Sequence, residues 1–487
     1  MNTKILTTAA IFLGSIFLFS SCEIKRSSTT GWDYNDQESG GFEYVEYYEQ
    51  ETGPGLVLVE GGTFAMGRVE QDVMYDWNNI PRRVTVSSFY MDEVEVRNVD
   101  YREYLYWLTR VYVDYPEVYR KALPDTLVWR RKLAWNEPMV ELYLRHPSYQ
   151  EYPVVGVNWH QANDYCVWRT DRVNEWILIR EGLLLKNAAQ AGEDNFNTDA
   201  YLAGQYEGAM KVPGIPDYNP NNEYRKVRME DGILLPRYRL PTEAEWEFAA
   251  LALIGNTTDE RVFTRRLYPW NGHYVRNDGE AHQGTIMANF MRGKGDMMGT
   301  SGALNDNADI TAPVDSYWPN DYGLYCMAGN VNEWTMDVYR PLSFETADEF
   351  RPFRGNVFTT PERDADWVLA EKDSLGHMKR REVGAADLQG TPHTDEAIDR
   401  RNYNQADNKN FADGDYASSV YFNNGDKAAG YKKSDGMYDQ GKEDPTRARV
   451  KRGGEGMTSL INDNARVYKG GSWHDRAIGW FQEQEDI

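Results

Sequence analysis

Apolar and polar positions first fall into a readable order around residue 56. Leu56-Val57-Leu58-Val59 is closed by Glu60-Gly61-Gly62 and followed by Thr63-Phe64-Ala65-Met66-Gly67, which predicts a strand, a glycine turn and a second strand. Val84 and Val86 mark the face of a further strand, with Phe89 and Tyr90 after it. The period then lengthens. Tyr101, Leu105, Leu108 and Tyr112 share one side of a helix that Asn98 is placed to cap. Residues 153–157 predict a short strand, and behind it Trp159, Ala162 and Cys166 fall at i, i+3 and i+7, which puts Cys166 in a helix core. Thr242-Glu243-Ala244-Glu245 is a capping box, with Pro241 before it and the apolar Trp246 and Phe248 after it.

Two stretches break this order. Residues from about 170 to 236 and from about 341 to 463 are polar and rich in Asn, Asp and Gly, and they read as insertions without a tight core of their own. At the N-terminus Lys4 precedes a largely apolar run from Ile5 to Phe19, ending in Ser20-Ser21-Cys22. The run is short for a bilayer span and suits a signal peptide. Two readings stay open: a lipoprotein signal over 1–21 with Cys22 acylated, or an ordinary secretory signal with Cys22 a free thiol. Residues 22–50, poor in aliphatic side chains, read as a tether, and 51–487 as one domain carrying the insertions.

Composition narrows the classes. The 487 residues carry a formal charge of −23 and 13% aromatic side chains, which argues against both a disordered chain and a nucleic-acid binder. Three cysteines are too few for a disulfide scaffold. His146, His160, His273, His282, His377, His393 and His474 show no paired metal-ligand spacing.

Seven ordered segments carry a resemblance. They are residues 59–67, 90–96, 153–159 and 238–250, then Tyr268-Pro269-Trp270, then 320–334 with its core Gly329-Asn330-Val331-Asn332-Glu333-Trp334, and finally Lys469-Gly470-Gly471-Ser472-Trp473. In this order the chain resembles the sulfatase-modifying-factor family, to which the formylglycine-generating enzyme belongs. The resemblance implies an irregular α+β fold of the formylglycine-generating-enzyme type, related to C-type lectins. It implies structural calcium on Asn289, the Phe290 carbonyl, Asp306 and the Ala308 carbonyl, and a second ion on the carbonyls of Gly329 and Val331 with Glu333. At that second site Cys326 stands where an Asn or Asp is expected. The alternative is that these residues only serve their own turns.

The family enzyme binds copper through two cysteines shortly after Gly-Gly-Ser. Here Gly470-Gly471-Ser472 is followed by Trp473-His474-Asp475-Arg476-Ala477, and no cysteine follows Cys326. The expectation is a pseudoenzyme without copper or iron. The family's closing strand is also missing after Gly479-Trp480-Phe481.

The flanking segments 30–36, 72–80 and 123–129 resemble the gliding-motility lipoproteins associated with type IX secretion. That resemblance implies a non-catalytic structural component at the periplasmic face of the outer membrane, partnered by other subunits of that machinery. The Glu after Cys22 agrees with outer-membrane sorting in resembling lipoproteins. Two alternatives from other classes remain: a metal-dependent oxidoreductase with a rebuilt site, and a lectin-like glycan-binding module.

Overall fold

A computed structural model describes residues 25–67, 81–130, 135–206, 208, 214–263, 266–292, 306, 308, 310–339, 359–364, 368–382, 451–452, 455–456, 465–477 and 484–486. Cys22, the preceding signal segment, residues 72–80 and most of 341–463 lie outside these.

The predicted strands form two antiparallel ladders. β1 (Leu56–Val59) pairs with a strand over Phe89–Asp92, and β2 (Gly62–Met66) pairs with β3 (Arg82–Val86). Phe64 and Met66 on β2 and Val84 and Val86 on β3 are buried, as their alternation requires. They pack on α3 (Glu243–Leu251), described below, which forms the centre of the principal core together with Tyr268, Ile286, Phe290 and Leu324.

Two longer helices precede it. α1 (Asn98–Val111) and α2 (Trp159–Arg180) meet through an aromatic cluster in which Tyr101, Tyr104, Tyr165 and Trp168 have ring centroids 5.3–5.8 Å apart. Asn98 does not cap α1. It is the first helical residue, fully buried, and its amide donates to the Tyr149 carbonyl at 2.9 Å. Cys166 also departs from expectation. The buried face of α2 runs through Gln161, Tyr165 and Trp168, leaving Cys166 on the flank and half-buried.

α3 is buried on all sides, including Glu243, Glu245 and Glu247. A helix without a solvent face has to answer each buried carboxylate. The capping box forms as predicted: Glu245 N donates to Thr242 Oγ1 at 3.2 Å and Thr242 N to Glu245 Oε2 at 2.8 Å. Arg239 holds Glu245 by two bonds of 2.7 Å. Gly67 N donates to Glu247 Oε1 at 2.8 Å.

The C-terminal sheet has three antiparallel strands: β4 (Glu333–Val338), β5 (Arg466–Lys469) and β6 (Gln484–Asp486), with β5 in the middle. Of the residues after Gly479-Trp480-Phe481, Gln484–Asp486 pair with β5 as its second neighbour. Two motif tryptophans fasten α2 to this sheet reciprocally. Trp159 Nε1 donates to the Thr335 carbonyl at 2.8 Å, and Trp334 Nε1 to the Val157 carbonyl at 2.9 Å.

The first insertion has a core after all: Leu178, Leu184, Phe196, Tyr201, Tyr206, Val227 and Leu234 are buried together. The aromatic residues dispersed among its Asn and Gly converge only in three dimensions. From the second insertion, Leu375 is held by this unit, its carbonyl accepting from Asn195 Nδ2 at 2.7 Å and from the Tyr112 hydroxyl at 3.0 Å.

Residues 25–50 are not a free tether. They form a hook, closed by an Arg26–Asp33 bridge and by Tyr34 stacked on Tyr44 at 5.3 Å. The hook docks on the first insertion. Gln37 donates to the Asp217 carbonyl at 3.1 Å, Gln50 to the Leu234 carbonyl at 2.8 Å, and Arg225 binds both Glu43 and Asp231. Gly41, at φ +74°, approaches so closely that a Cβ there would stand 2.2 Å from the Tyr218 carbonyl oxygen.

Candidate functional site

Asn330 is the hub of the motif segments. It is fully buried and adopts φ +69°, a left-handed conformation that Asn tolerates better than other side chains with a Cβ. Its amide nitrogen donates to Glu95 Oε2 at 2.6 Å, and its side-chain oxygen accepts from Ala312 N at 2.8 Å and Asn289 Nδ2 at 3.2 Å. Its backbone N–H donates to the Asn289 carbonyl and its carbonyl accepts from Trp473 N at 3.0 Å. Beside it Gly329 has φ +79°, and a Cβ there would lie 2.1 Å from the Asn289 carbonyl oxygen. The Gly-Asn dipeptide thus draws residues 95, 289, 312 and 473 to one point.

Two carboxylates converge at this hub. Glu95 is buried, and Val331 N donates to it in addition to Asn330. Its Oε1 is out of solvent with no hydrogen-bond partner. Desolvation, reinforced by the charge of Glu333, raises the Glu95 carboxyl well above its ordinary value. Glu333 accepts from Trp246 Nε1 at 2.6 Å, and desolvation pushes it up to about 7 against that bond. Glu95 was not singled out from the sequence as a ligand. The only sequence signal was its place in the 90–96 motif.

The residues expected at the first calcium position lie on two neighbouring segments. Asn289 Nδ2 donates to the Ile310 carbonyl at 2.7 Å, which sets the amide against the chain that carries Asp306 and Ala308. Asn289, Phe290 and Asp306 are buried. Asp306 Oδ1 accepts from Ala308 N at 3.2 Å, and its carbonyl accepts from the Tyr317 hydroxyl at 2.8 Å. Asp306 also lines a cleft of about 870 Å³, whose walls include Tyr149, Tyr152, Tyr317, Trp318 and Tyr325. Among the described residues no group of three His, Cys, Asp or Glu side chains is assembled, so any ion here would depend on carbonyl and amide oxygens.

Cys326, at φ +52°, donates its S–H to the Val314 carbonyl at 3.2 Å, and burial together with the Glu95, Glu333 and Asp315 charges raises it well above the ordinary thiol value. Burial pushes Cys166 up to about 12. The two thiols sit in unrelated surroundings, Cys326 bonded to the Val314 carbonyl and Cys166 on the flank of α2.

The turn after Gly470-Gly471 is closed by its own side chains: Asp475 Oδ2 accepts from Ser472 N at 2.8 Å and Ser472 Oγ at 2.6 Å. Trp473 stacks on Trp129 at 5.5 Å, and His474 lies against Trp473 at 4.8 Å. His160 is exposed at the start of α2 and takes no part.

The sulfatase-modifying factor enzyme 1-like domain matches residues 41–386, and the chain belongs to that family. It is 26% identical to the mouse formylglycine-generating enzyme over 308 residues, which are 58% of this chain and 58% of that one. The chain thus spans little more than half the length of that enzyme. It is 24% identical to the mouse inactive C-alpha-formylglycine-generating enzyme 2 over 344 residues, covering 67% of this chain and 79% of that one. Among solved structures, PvdO from Pseudomonas aeruginosa is similar over 61% of this chain and 77% of that one, at 17% identity and a TM-score of 0.32.

Proposed function

We propose that this chain is a non-catalytic member of its family, a lipoprotein anchored through Cys22 at the periplasmic face of the outer membrane. There it serves as a structural component of gliding motility and type IX secretion, in the manner of GldJ, which its flanking segments resemble. Its partners are other subunits of that machinery. The observation that carries the non-catalytic part is the Gly-Gly-Ser turn. Asp475 and Ser472 satisfy each other where the family enzyme needs thiolates nearby, and no cysteine follows Cys326 in the chain. A relative named inactive, covering two thirds of this chain, agrees with a fold that persists without the oxidase chemistry.

Structural calcium fits the second position better than its Cys326 suggested. The Gly329 and Val331 carbonyls with Glu333 would hold the ion, and the orphaned Glu95 Oε1 gives a further buried oxygen in need of positive charge. At the first position Asn289, Asp306 and the Phe290 and Ala308 carbonyls would hold it. The ion would neutralise buried carboxylates and tie loops together, with no part in a reaction. The glycan-binding reading has one specific support, the aromatic cleft at Tyr149 and Trp318.

The test is crosslinking in intact cells followed by membrane purification and mass spectrometry, run beside an assay with a cysteine-containing sulfatase peptide and copper. Recovery of secretion subunits with no formylglycine formed is expected. Peptide oxidation would overturn the non-catalytic reading, and glycan-array binding without secretion subunits would favour the lectin-like one.

A further inference from the structure

The hook of residues 25–50 carries a concentration of exposed aromatic surface. Trp32 is 59% exposed, Phe42 64%, Tyr47 88% and Tyr48 76%, with Tyr44 and Val45 also open to solvent. Contacts within the hook tie Trp32, Phe42, Tyr44 and Tyr48 to one another. The Lys25 ammonium sits 4.9 Å from the centre of the Tyr44 ring and pairs with Glu46, to which the Tyr48 hydroxyl donates. Tyr34 joins Tyr44 to Phe42, with both centroid distances 5.3 Å, and Gly40 lies against the Trp32 ring. Much of the charge around the patch is internally paired: Lys25 with Glu46, Arg26 with Asp33, and Glu43 with Arg225.

Chain length decides what can cover this face. A free leash of 28 residues would let the domain wander roughly 30 Å from its anchor. The hook begins at Lys25, only three residues beyond Cys22, so the maximum reach is about 11 Å. One headgroup layer is about 5–8 Å thick, half of what a bilayer adds to its hydrocarbon core, so the start of the hook stays within a few ångströms of that layer. Tyr and Trp rings, apolar in body and polar at one edge, favour that layer.

We propose that the Trp32, Phe42, Tyr44, Tyr47 and Tyr48 face lies in the headgroup layer of a phospholipid membrane and orients the whole domain on it. This rests on the acylation of Cys22 proposed above. Because the hook is locked to the first insertion through Arg225, Gln37 and Gln50, its orientation passes to the body. Both cations of the hook, Lys25 and Arg26, are already paired within it, so the contact does not rest on attraction to anionic lipid as a polybasic surface does.

The experiment uses the full chain, produced in a bacterial host with labelled palmitate and reconstituted into phosphatidylethanolamine–phosphatidylglycerol vesicles containing a spin-labelled lipid. A fluorophore is placed at Tyr47→Cys or, outside the patch, at Trp135→Cys, a residue 80% exposed. Cys326 is buried, and Cys166, half-buried, is replaced by Ser in every variant so that only the introduced thiol takes the fluorophore. Quenching at position 47 but not 135, unchanged by added salt, is expected. Equal fluorescence at both positions in palmitate-bearing protein overturns the proposal.

If the chain carries no palmitate, the lipidation reading fails separately, and flotation with the same vesicles decides the surface. Flotation lost in Trp32→Ser/Tyr47→Ser/Tyr48→Ser supports the membrane face. Absence of flotation in the unsubstituted chain overturns it.

Discussion

The Nζ of Lys469 lies 2.6 Å from Oε1 of Glu243, and 3.9 Å from Oε2 of Glu247, with all three side chains out of solvent. The ammonium on β5 is the cation that two successive turns of α3 share, so it joins the C-terminal sheet to the principal core. Removing one partner of a buried ion group leaves the others uncompensated and costs about 3–5 kcal/mol. Lys469→Met is therefore expected to lower the urea midpoint markedly. Adding Glu243→Gln and Glu247→Gln to that variant should recover part of the loss; no recovery would show that packing, not charge, is what Lys469 supplies.

The two thiols provide a second check. Cys166 is pushed up to about 12 by burial, and Cys326 is raised and hydrogen-bonded to Val314. Since the thiolate is the nucleophile, neither should react with a disulfide reagent at pH 8 in the native state. Both should react once the chain is unfolded in urea. Fast native reaction of either would contradict the surroundings described for it.

Calcium should act on stability. A ligand bound only by the native state at about a hundred times its dissociation constant adds about 2.7 kcal/mol. Melting temperature is expected to rise with calcium and fall with a chelator. Glu333→Gln and Glu95→Gln should blunt the response, whereas Lys469→Met should keep it. An unchanged melting temperature in calcium and in chelator would remove the ion from the account.

Acid should weaken the α3 cap. Burial opposes ionisation of Glu245, but the Arg239 guanidinium and the Thr242 bonds outweigh it and hold the carboxyl below its ordinary value. Its folded value is depressed, so the stabilisation is complete above the unfolded carboxylate value of about 4.3 and is lost as pH falls through the folded one. Glu245→Gln should be less stable at neutral pH and flatter in its acid dependence. Chemical denaturation repeated between pH 7 and pH 3 reads both.

Arg225 should act as the latch of the hook. Its guanidinium joins Glu43 of the hook to Asp231 of the first insertion, and all three sit in a partly enclosed pocket. Arg225→Ala is expected to expose residues 25–50 to limited proteolysis while the thiols stay silent. Resistance equal to the parent would mean that Gln37 and Gln50 suffice.

The strand pair β2–β3 and the start of α3 were legible because their signals are local. Alternation at Phe64 and Met66, and Thr242 three residues from Glu245, specify geometry within a few residues. Asn98 misled for a related reason. A polar side chain before an apolar helix face fits a cap, yet its amide bonds carbonyls 45 and 51 residues away. The hook misled through composition. Low aliphatic content suggested a linker, whereas stacked Tyr34 and Tyr44 and a distant Arg225 give it structure.

The family motifs, the capping box of α3, the glycine turns and the absence of cysteine after Gly470-Gly471-Ser472 are readable from residue order. The meeting of Glu95 with Asn330 across 235 residues, the entry of Lys469 into the core beside Glu243 and the docking of residues 25–50 on the first insertion arise only on folding. Hydrophobic period and capping act over three or four residues, so a linear reading can follow them. A buried charge or an orphaned carboxylate oxygen is defined by its surroundings, and those exist only when distant segments meet and water is excluded.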